Sequence, residues 1–378
     1  MRVVFVGGAG AMGRAVVTAA AGFAEVSQLL VLDRDADRAE AVAEAAGPKA
    51  KAVPFDAGQD DLAGLLAGAD AVVSTLGPFT VFGRSTIEAA VRAGCHYIDI
   101  NDDWEPTLDV LSLDARARQA GVTALIGMGA SPGVSNVLAM RAAAELDVVH
   151  ELVTGWALAG AKAEPGGARP SAALLHLVQQ ATGSIQVVED GEEKLVRPLR
   201  PMTLDYPGLG EIRVRTVGHP EAVTLPRAMP GLSRCVNVMS GPEWYFDHLA
   251  GLMARVEAGE LSAHGAAVVL EDEVCRPADA PATLRTPTLW AWAKGLRDGQ
   301  PCRVGAGLGK WPAGRMAGAT GLPAAAALRM VLRGEITRRG VVTPEEVVPF
   351  DLLMERLAPW YVLPEAAGEL YTVAVEKG

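Results

Sequence analysis

From Arg2 to about Ala144, short runs of β-branched and other apolar residues alternate with longer, alanine-rich stretches whose apolar positions recur at helical spacing. Uninterrupted apolar runs are what strands buried on both faces require, and a period of about 3.6 residues between them marks the covering helices. The pattern predicts strands at Val3–Val6, Leu29–Leu32, Lys51–Pro54, Ala71–Ser74, His96–Asp99 and Thr123–Ile126, with helices in the gaps. Parallel strands joined through helices use right-handed crossovers. The expected fold is therefore α/β, a doubly wound parallel sheet with its ligand crevice at the carboxyl ends of the strands.

After Glu151 the texture changes. Glu151–Gly160 alternates like a strand, Pro170–Thr182 reads as a helix, and further strand-like stretches follow. Asp190-Gly191 and Asp298-Gly299 each stand between alternating runs, a strong hairpin signal. These features predict a second α+β domain with a largely antiparallel sheet and helices on one face. From Gly321 the chain reads as helical again, and from about Ala324 its helices are expected to pack back near the first domain. The boundaries that follow are 1–144, 145–323 and 324–378. The Gly- and Pro-rich stretch Gly160–Pro170 reads as a surface connection or a lid.

Composition narrows the class. A chain of 378 residues, half of them hydrophobic, can bury two linked cores. Its formal charge of -11 is spread along the chain, which disfavours nucleic acid and anionic membrane as partners and favours a small molecule. The apolar run after Met1 and Arg2 meets glycines too early for a signal-peptide core, and no segment reaches the roughly 18 apolar residues of a membrane helix. A cytoplasmic location is expected. Cys95, Cys235, Cys275 and Cys302 form no C-x-x-C pair, and the histidines show no metal-ligand spacing, so reduced buried thiols and no metal are expected.

The first strand runs into Gly8-Ala9-Gly10-Ala11-Met12-Gly13, a G-x-G-x-x-G between a strand and an amphipathic helix. Gly8 permits the turn, Gly10 lets backbone approach a pyrophosphate, and Gly13 allows close packing of helix on strand, while Ala11 and Met12 begin the helix whose N–H groups meet phosphate. Asp33 ends the second strand at the distance from which an acid reaches the adenine ribose hydroxyls. Together these features mark a Rossmann dinucleotide site. Asp33 favours NAD, whereas Arg34, with Arg38 one turn on, could pair with a 2′-phosphate and keeps NADP open. At the end of the fourth strand, Thr75, Gly77, Pro78 and Phe79 stand where the nicotinamide half would lie. Asp99, Asn101, Asp102 and Asp103 follow at the end of the fifth.

These motifs resemble the saccharopine dehydrogenase-like family, which includes saccharopine reductases, lysine 6-dehydrogenases and carboxynorspermidine synthases. The resemblance runs through the glycine loop, Gly77-Pro78-Phe79 with Gly83, Ala93–Asp99 and Gly129–Asn136. It continues through Gly218-His219-Pro220-Glu221 with Thr224-Leu225-Pro226, Thr320–Pro323 and Gly340–Glu345. The chain departs from the family pattern at Ser131, where an acid often precedes Pro132, and at Asp103, which replaces a usual Glu. The resemblance implies hydride transfer to or from a carbon bonded to nitrogen in an amino-acid-like substrate, and a homodimer through the antiparallel sheet.

Oxidising an amine requires an unprotonated nitrogen, so a base or a water path is needed. Asp99, Asp102, Asp103 and His219 are the candidates, with Asp102 and Asp103 also suited to holding an ammonium group, and His219 equally suited to a structural turn. A substrate carboxylate would want a guanidinium fork, for which Arg227, Arg234 and Arg315 are available. Trp156, Trp244, Trp290, Trp292 and Trp311 read as pocket wall or as core. Two other readings stay open: a sugar or polyol dehydrogenase of the two-domain Rossmann group, and an NADP-binding sensor without turnover. The first is disfavoured because His-Tyr-Ile-Asp-Ile-Asn stands where that group carries Glu-Lys-Pro. The second is disfavoured because a sensor needs no cluster of carboxylates.

Overall fold

The computed structural model describes residues 1–158, 170–274, 286–361 and 367–378. The chain forms two compact units, Met1–Val137 with Pro312–Ala367 and Leu138–Trp311 with Gly368–Gly378. The expected lid at 160–170 and Cys275 fall almost wholly or wholly outside the described residues.

The first unit is built on a parallel seven-stranded sheet. Six strands stand where the apolar runs predict them: β1 (Arg2–Val6), β2 (Gln28–Asp33), β3 (Ala50–Pro54), β4 (Ala71–Ser74), β5 (His96–Asp99) and β6 (Thr123–Leu125). Their spatial order is β3-β2-β1-β4-β5-β6, with the strand Gly340–Val342 added beside β6. The order reverses between β1 and β4, the switch point at which such sheets bind dinucleotides. Continuous burial of β1 and β4, from Val3 to Val6 and Ala71 to Ser74, reflects helices on both faces. Pro54 sits on the edge strand, where its missing N–H breaks no central ladder.

The helix Arg315–Leu332 belongs to this unit and packs on the helix Ala11–Ala21. Gly321 makes the approach possible, since a Cβ there would lie 2.7 Å from the Met12 carbonyl oxygen and 2.9 Å from Ala15 Cβ.

The second unit holds a nine-stranded sheet. Its strands are β7 (Val148–Ala157), β8 (Ile185–Glu189), β9 (Glu192–Val196), β10 (Pro201–Tyr206), β11 (Gly210–Val217), β12 (Arg234–Ser240), β13 (Leu289–Arg297), β14 (Gln300–Leu308) and the final strand Tyr371–Lys377. All its pairings are antiparallel except β12 with β7. Both Asp-Gly hairpins form. Asp190 and Gly191 have φ of 58° and 78°, and Asp298 and Gly299 of 53° and 72°, the left-handed pair of a tight two-residue turn. The helix expected over Pro170–Thr182 runs over Ala172–Gln180. Trp290 and Trp292 are core, not pocket wall: both are buried among Val153, Tyr206 and Val238, with Tyr206 edge-on to Trp290 at 5.6 Å. Trp244 is largely exposed.

The C-terminal segment differs from its expected form. A boundary at 323/324 falls inside the helix Arg315–Leu332, which carries Pro323 within it. Beyond that helix, Gly340–Val342 joins the first sheet and Tyr371–Lys377 pairs with β14 in the second. Neither is helical, because partner strands far away in sequence supply their hydrogen bonds.

Candidate active site

The glycine loop begins where β1 ends. Gly7 and Gly8 donate their N–H groups to the Leu32 carbonyl at 2.9 and 3.2 Å, tying the turn to β2. A Cβ on Gly13 would lie 2.4 Å from the Gly7 carbonyl oxygen, so helix and loop touch backbone to backbone. Gly10 is different. A Cβ there would meet only the Gly7 carbonyl oxygen, at 3.3 Å, so the space above it is open to a ligand. Gly10 also caps the helix Ala11–Ala21 without any side-chain hydrogen bond, leaving first-turn N–H groups for an anion. A pyrophosphate fits this cradle.

Asp33 Oδ2 accepts from Ala9 N at 3.0 Å and Oδ1 from Asp35 N at 3.1 Å, so the acid at the end of β2 also braces the glycine loop. Arg38 is committed to Asp35 at 3.0 Å, while Arg34 is exposed and makes no hydrogen bond or ion pair among the described residues. Thr75 Oγ1 donates to the Gly7 carbonyl at 2.9 Å, which knits the end of β4 to the loop at the switch point. Gly77 and Pro78 are exposed, and Phe79 is buried as the first residue of the helix Phe79–Ala93.

Across the switch point, Asp99 is 2 % exposed and surrounded by donors. Its Oδ1 accepts from Gly127 N at 2.6 Å and Asn101 N at 3.1 Å, and its Oδ2 accepts from the Tyr97 hydroxyl at 2.9 Å. Burial pushes its pKa up to about 6, against the pull of those three donors, and the neighbouring charge of Asp102 adds to the rise. Burial, then the charge of Asp99, holds the Tyr97 hydroxyl well above its ordinary range. Asn101 extends the network: its Oδ1 accepts from Asp103 N at 3.1 Å, and its Nδ2 donates to the Asp103 carbonyl and to Thr107 Oγ1. Asp103 is buried and Asp102 half-buried.

The turn after β6 closes on the same point. Met128 N donates to the Asp99 carbonyl at 2.7 Å, and Gly129 N to the Pro132 carbonyl at 2.9 Å. Gly133, at φ 121°, passes so close to Gly129 that a Cβ would lie 2.2 Å from its carbonyl oxygen. Asn136 Oδ1 accepts from Gly133 N, and Asn136 Nδ2 donates to Glu345. Gly127 and Thr107 are site-building residues that the sequence reading misses. Gly127 sits just ahead of the family motif Gly129–Asn136, the one local signal that could have pointed to it.

In the second unit, His219 is buried. Nε2 donates to Gln180 Oε1 at 3.0 Å, and Nδ1 lies 3.4 Å from the fully buried Glu221 carboxylate. Asn237 Nδ2 donates to Glu221 and to Thr154. His219, Gln180, Glu221, Asn237 and Thr154 thus form a buried polar cluster in this unit. The three arginines do not assemble within one unit. Arg227 is exposed at the end of the helix Glu221–Ala228, Arg234 pairs with Glu151 at 2.7 Å, and Arg315 lies in the first unit.

Two family models match the chain: the saccharopine dehydrogenase NADP binding domain over residues 3–125 and the saccharopine dehydrogenase C-terminal domain over residues 129–360. Saccharopine dehydrogenase (L-Glu forming) from Saccharomyces cerevisiae has a similar fold, with a TM-score of 0.67 at 17% identity over 100% of this chain and 99% of that one. Carboxyaminopropylagmatine dehydrogenase from Synechocystis sp. is 26% identical over 96% of this chain and 97% of its own length. Glycine cradle, reversed strand order and matched domain models lead to one conclusion: the chain belongs to the saccharopine dehydrogenase family and is an NAD(P)-binding oxidoreductase.

Proposed function

We propose that the protein transfers a hydride to or from a carbon bonded to nitrogen in an amino-acid-like substrate, with NAD preferred over NADP. The observation that carries this reading is the run of acids Asp99, Asp102 and Asp103 at the end of β5, on the nicotinamide side of the switch point. A cationic amine is the substrate such a strand end attracts, and a sugar gains little from it. The Synechocystis relative acts on a compound whose name carries carboxy and amino groups, which points the same way. Bound on the glycine loop, the nicotinamide supplies or accepts the hydride.

The residues have separate tasks. Gly10 and the uncapped helix N-terminus hold the pyrophosphate, and Asp33 accepts from the ribose hydroxyls while opposing a 2′-phosphate. Asp102 and Asp103 hold the ammonium group, and one of the two carboxylates, directly or through a water, takes up its proton so that hydride leaves from the free amine. A guanidinium such as Arg227 or Arg315 would meet a substrate carboxylate, and Arg234 pairs with Glu151.

The reading is tested by following reduced cofactor with lysine, ornithine, diamines, saccharopine and cyclic imines, alongside sugars and polyols, with both cofactors and in both directions. Turnover with an amine or imine is expected. Turnover confined to polyols, or tight cofactor binding without any turnover, would overturn it.

A further inference from the structure

We propose that Asp99 is a positioning residue: it pins the loops that follow β5 and β6, thereby sets the nicotinamide half of the cofactor site, and exchanges no proton with substrate. The inference concerns the same site but rests only on dinucleotide binding, not on the class of substrate.

A general base must present an oxygen within about 2.6–3.2 Å of the proton it takes, directly or through one water. Asp99 is buried, and both its oxygens already accept from the chain, two bonds from backbone N–H groups and one from Tyr97. What those bonds do is mechanical. The Gly127 N–H starts the turn that leads through Pro132 to Gly133, and the Asn101 N–H starts the loop that carries Asp102 and Asp103. The Asp99 carbonyl takes a further bond from Met128 N, so side chain and backbone together hold both sides of the turn. Asn101 passes the constraint on to Asp103 and Thr107 at the start of the next helix. Within the sheet, Asp99 pairs with Ser74 at the end of β4. Side chain and backbone of Asp99 therefore tie together the ends of β4, β5 and β6. Besides Tyr97, the ionisable group acting on it is Asp102, whose like charge does not compete for the same donors.

The strand order makes this anchor one-sided. The glycine loop and Asp33 sit on β1 and β2, and their bonds to Leu32, Ala9 and Asp35 do not involve Asp99. In a sheet of this order the adenine half of a dinucleotide lies over β1–β3 and the nicotinamide half over β4–β6. Disturbing Asp99 should weaken ligands that carry the nicotinamide and spare those that do not.

The test is equilibrium binding of NADH and of ADP-ribose to the full chain and to Asp99→Asn and Tyr97→Phe. Asparagine keeps the shape and one acceptor oxygen but removes the charge and presents an N–H₂ group to Tyr97. NADH affinity should fall about tenfold in Asp99→Asn, the order expected for loss of one charge-assisted hydrogen bond, while ADP-ribose changes by less than about twofold. Tyr97→Phe should show the same asymmetry at about threefold, and it decides the question if Asp99→Asn does not fold. Equal losses for both ligands would reduce Asp99 to general stability and overturn the proposal. Unchanged NADH affinity would overturn it as well. Because no substrate enters the assay, failure of the amine reading and failure of this proposal are told apart.

Discussion

A buried carboxyl whose pKa is raised makes stability depend on pH in a fixed direction, and Asp99 provides the case. Its pKa stands at about 6 in the folded chain against an ordinary 3.8, with burial as the first cause. The fold therefore favours the protonated form, and ionising it there is harder than in the unfolded chain. Well below pH 3.8 both states carry the proton and the contribution is fully present; it is lost as the pH rises from there through about 6, and above that it is constant. Each tenfold change in the acid constant corresponds to ~1.4 kcal/mol, so the whole step is about 3 kcal/mol. Solvent screening takes little from this, since the group is 2 % exposed. The perturbation is Asp99→Asn, which cannot ionise. Urea unfolding of the wild-type chain and the variant between pH 4 and 8 gives the two stability curves. Their difference cancels the other titrating groups and should shift by about 2 kcal/mol in favour of the variant between pH 4 and 7. Parallel curves, or a difference of opposite sign, would refute the reasoning about burial. Should the variant gain stability at neutral pH while losing NADH affinity, the buried charge is retained for function at a cost to stability.

Other expectations follow from packing and charge. Asp33→Ala should weaken NAD by about tenfold and NADP less, since the carboxylate accepts from a free 2′-hydroxyl and opposes a 2′-phosphate; equal losses would mean that its bond to Ala9 N matters more than the ribose. Gly321→Ala forces a methyl against the Met12 carbonyl and Ala15, so thermal unfolding should show a loss of about 1–3 kcal/mol, and cofactor affinity should fall as the glycine-loop helix shifts. Gly155→Ala would drive a Cβ to 2.3 Å from the Trp290 ring, and a loss of at least about 3 kcal/mol is expected, read by denaturant unfolding, without selective loss of NADH binding.

The sequence makes the first sheet legible because β1, β2 and β4 carry the continuous apolar run that two covered faces demand, and the glycine loop because each glycine answers a local steric need. The hairpins at Asp190 and Asp298 are legible for the same reason, as left-handed φ values select Asp-Gly. What escapes is set by distant partners. Gly340–Val342 is too short to show a period, and it is a strand only because Thr123–Leu125 lies beside it. Tyr371–Lys377 follows a helical stretch and takes its place from β14. At the site, residue types are readable but their availability is not. Asp99 and His219 look alike as candidate bases until the structure shows the donors around one carboxylate and the Gln180 and Glu221 contacts on one imidazole.

The central claim, that hydride moves to a carbon bonded to nitrogen, is tested most directly by following the hydride itself. NADH deuterated at the transferring position of C4, turned over with an imine or with a keto acid and an amine, should give product whose deuterium sits on the carbon bearing nitrogen, as located by NMR. Deuterium on a carbon bearing a hydroxyl would contradict the account and move the protein to the alcohol dehydrogenases of similar fold.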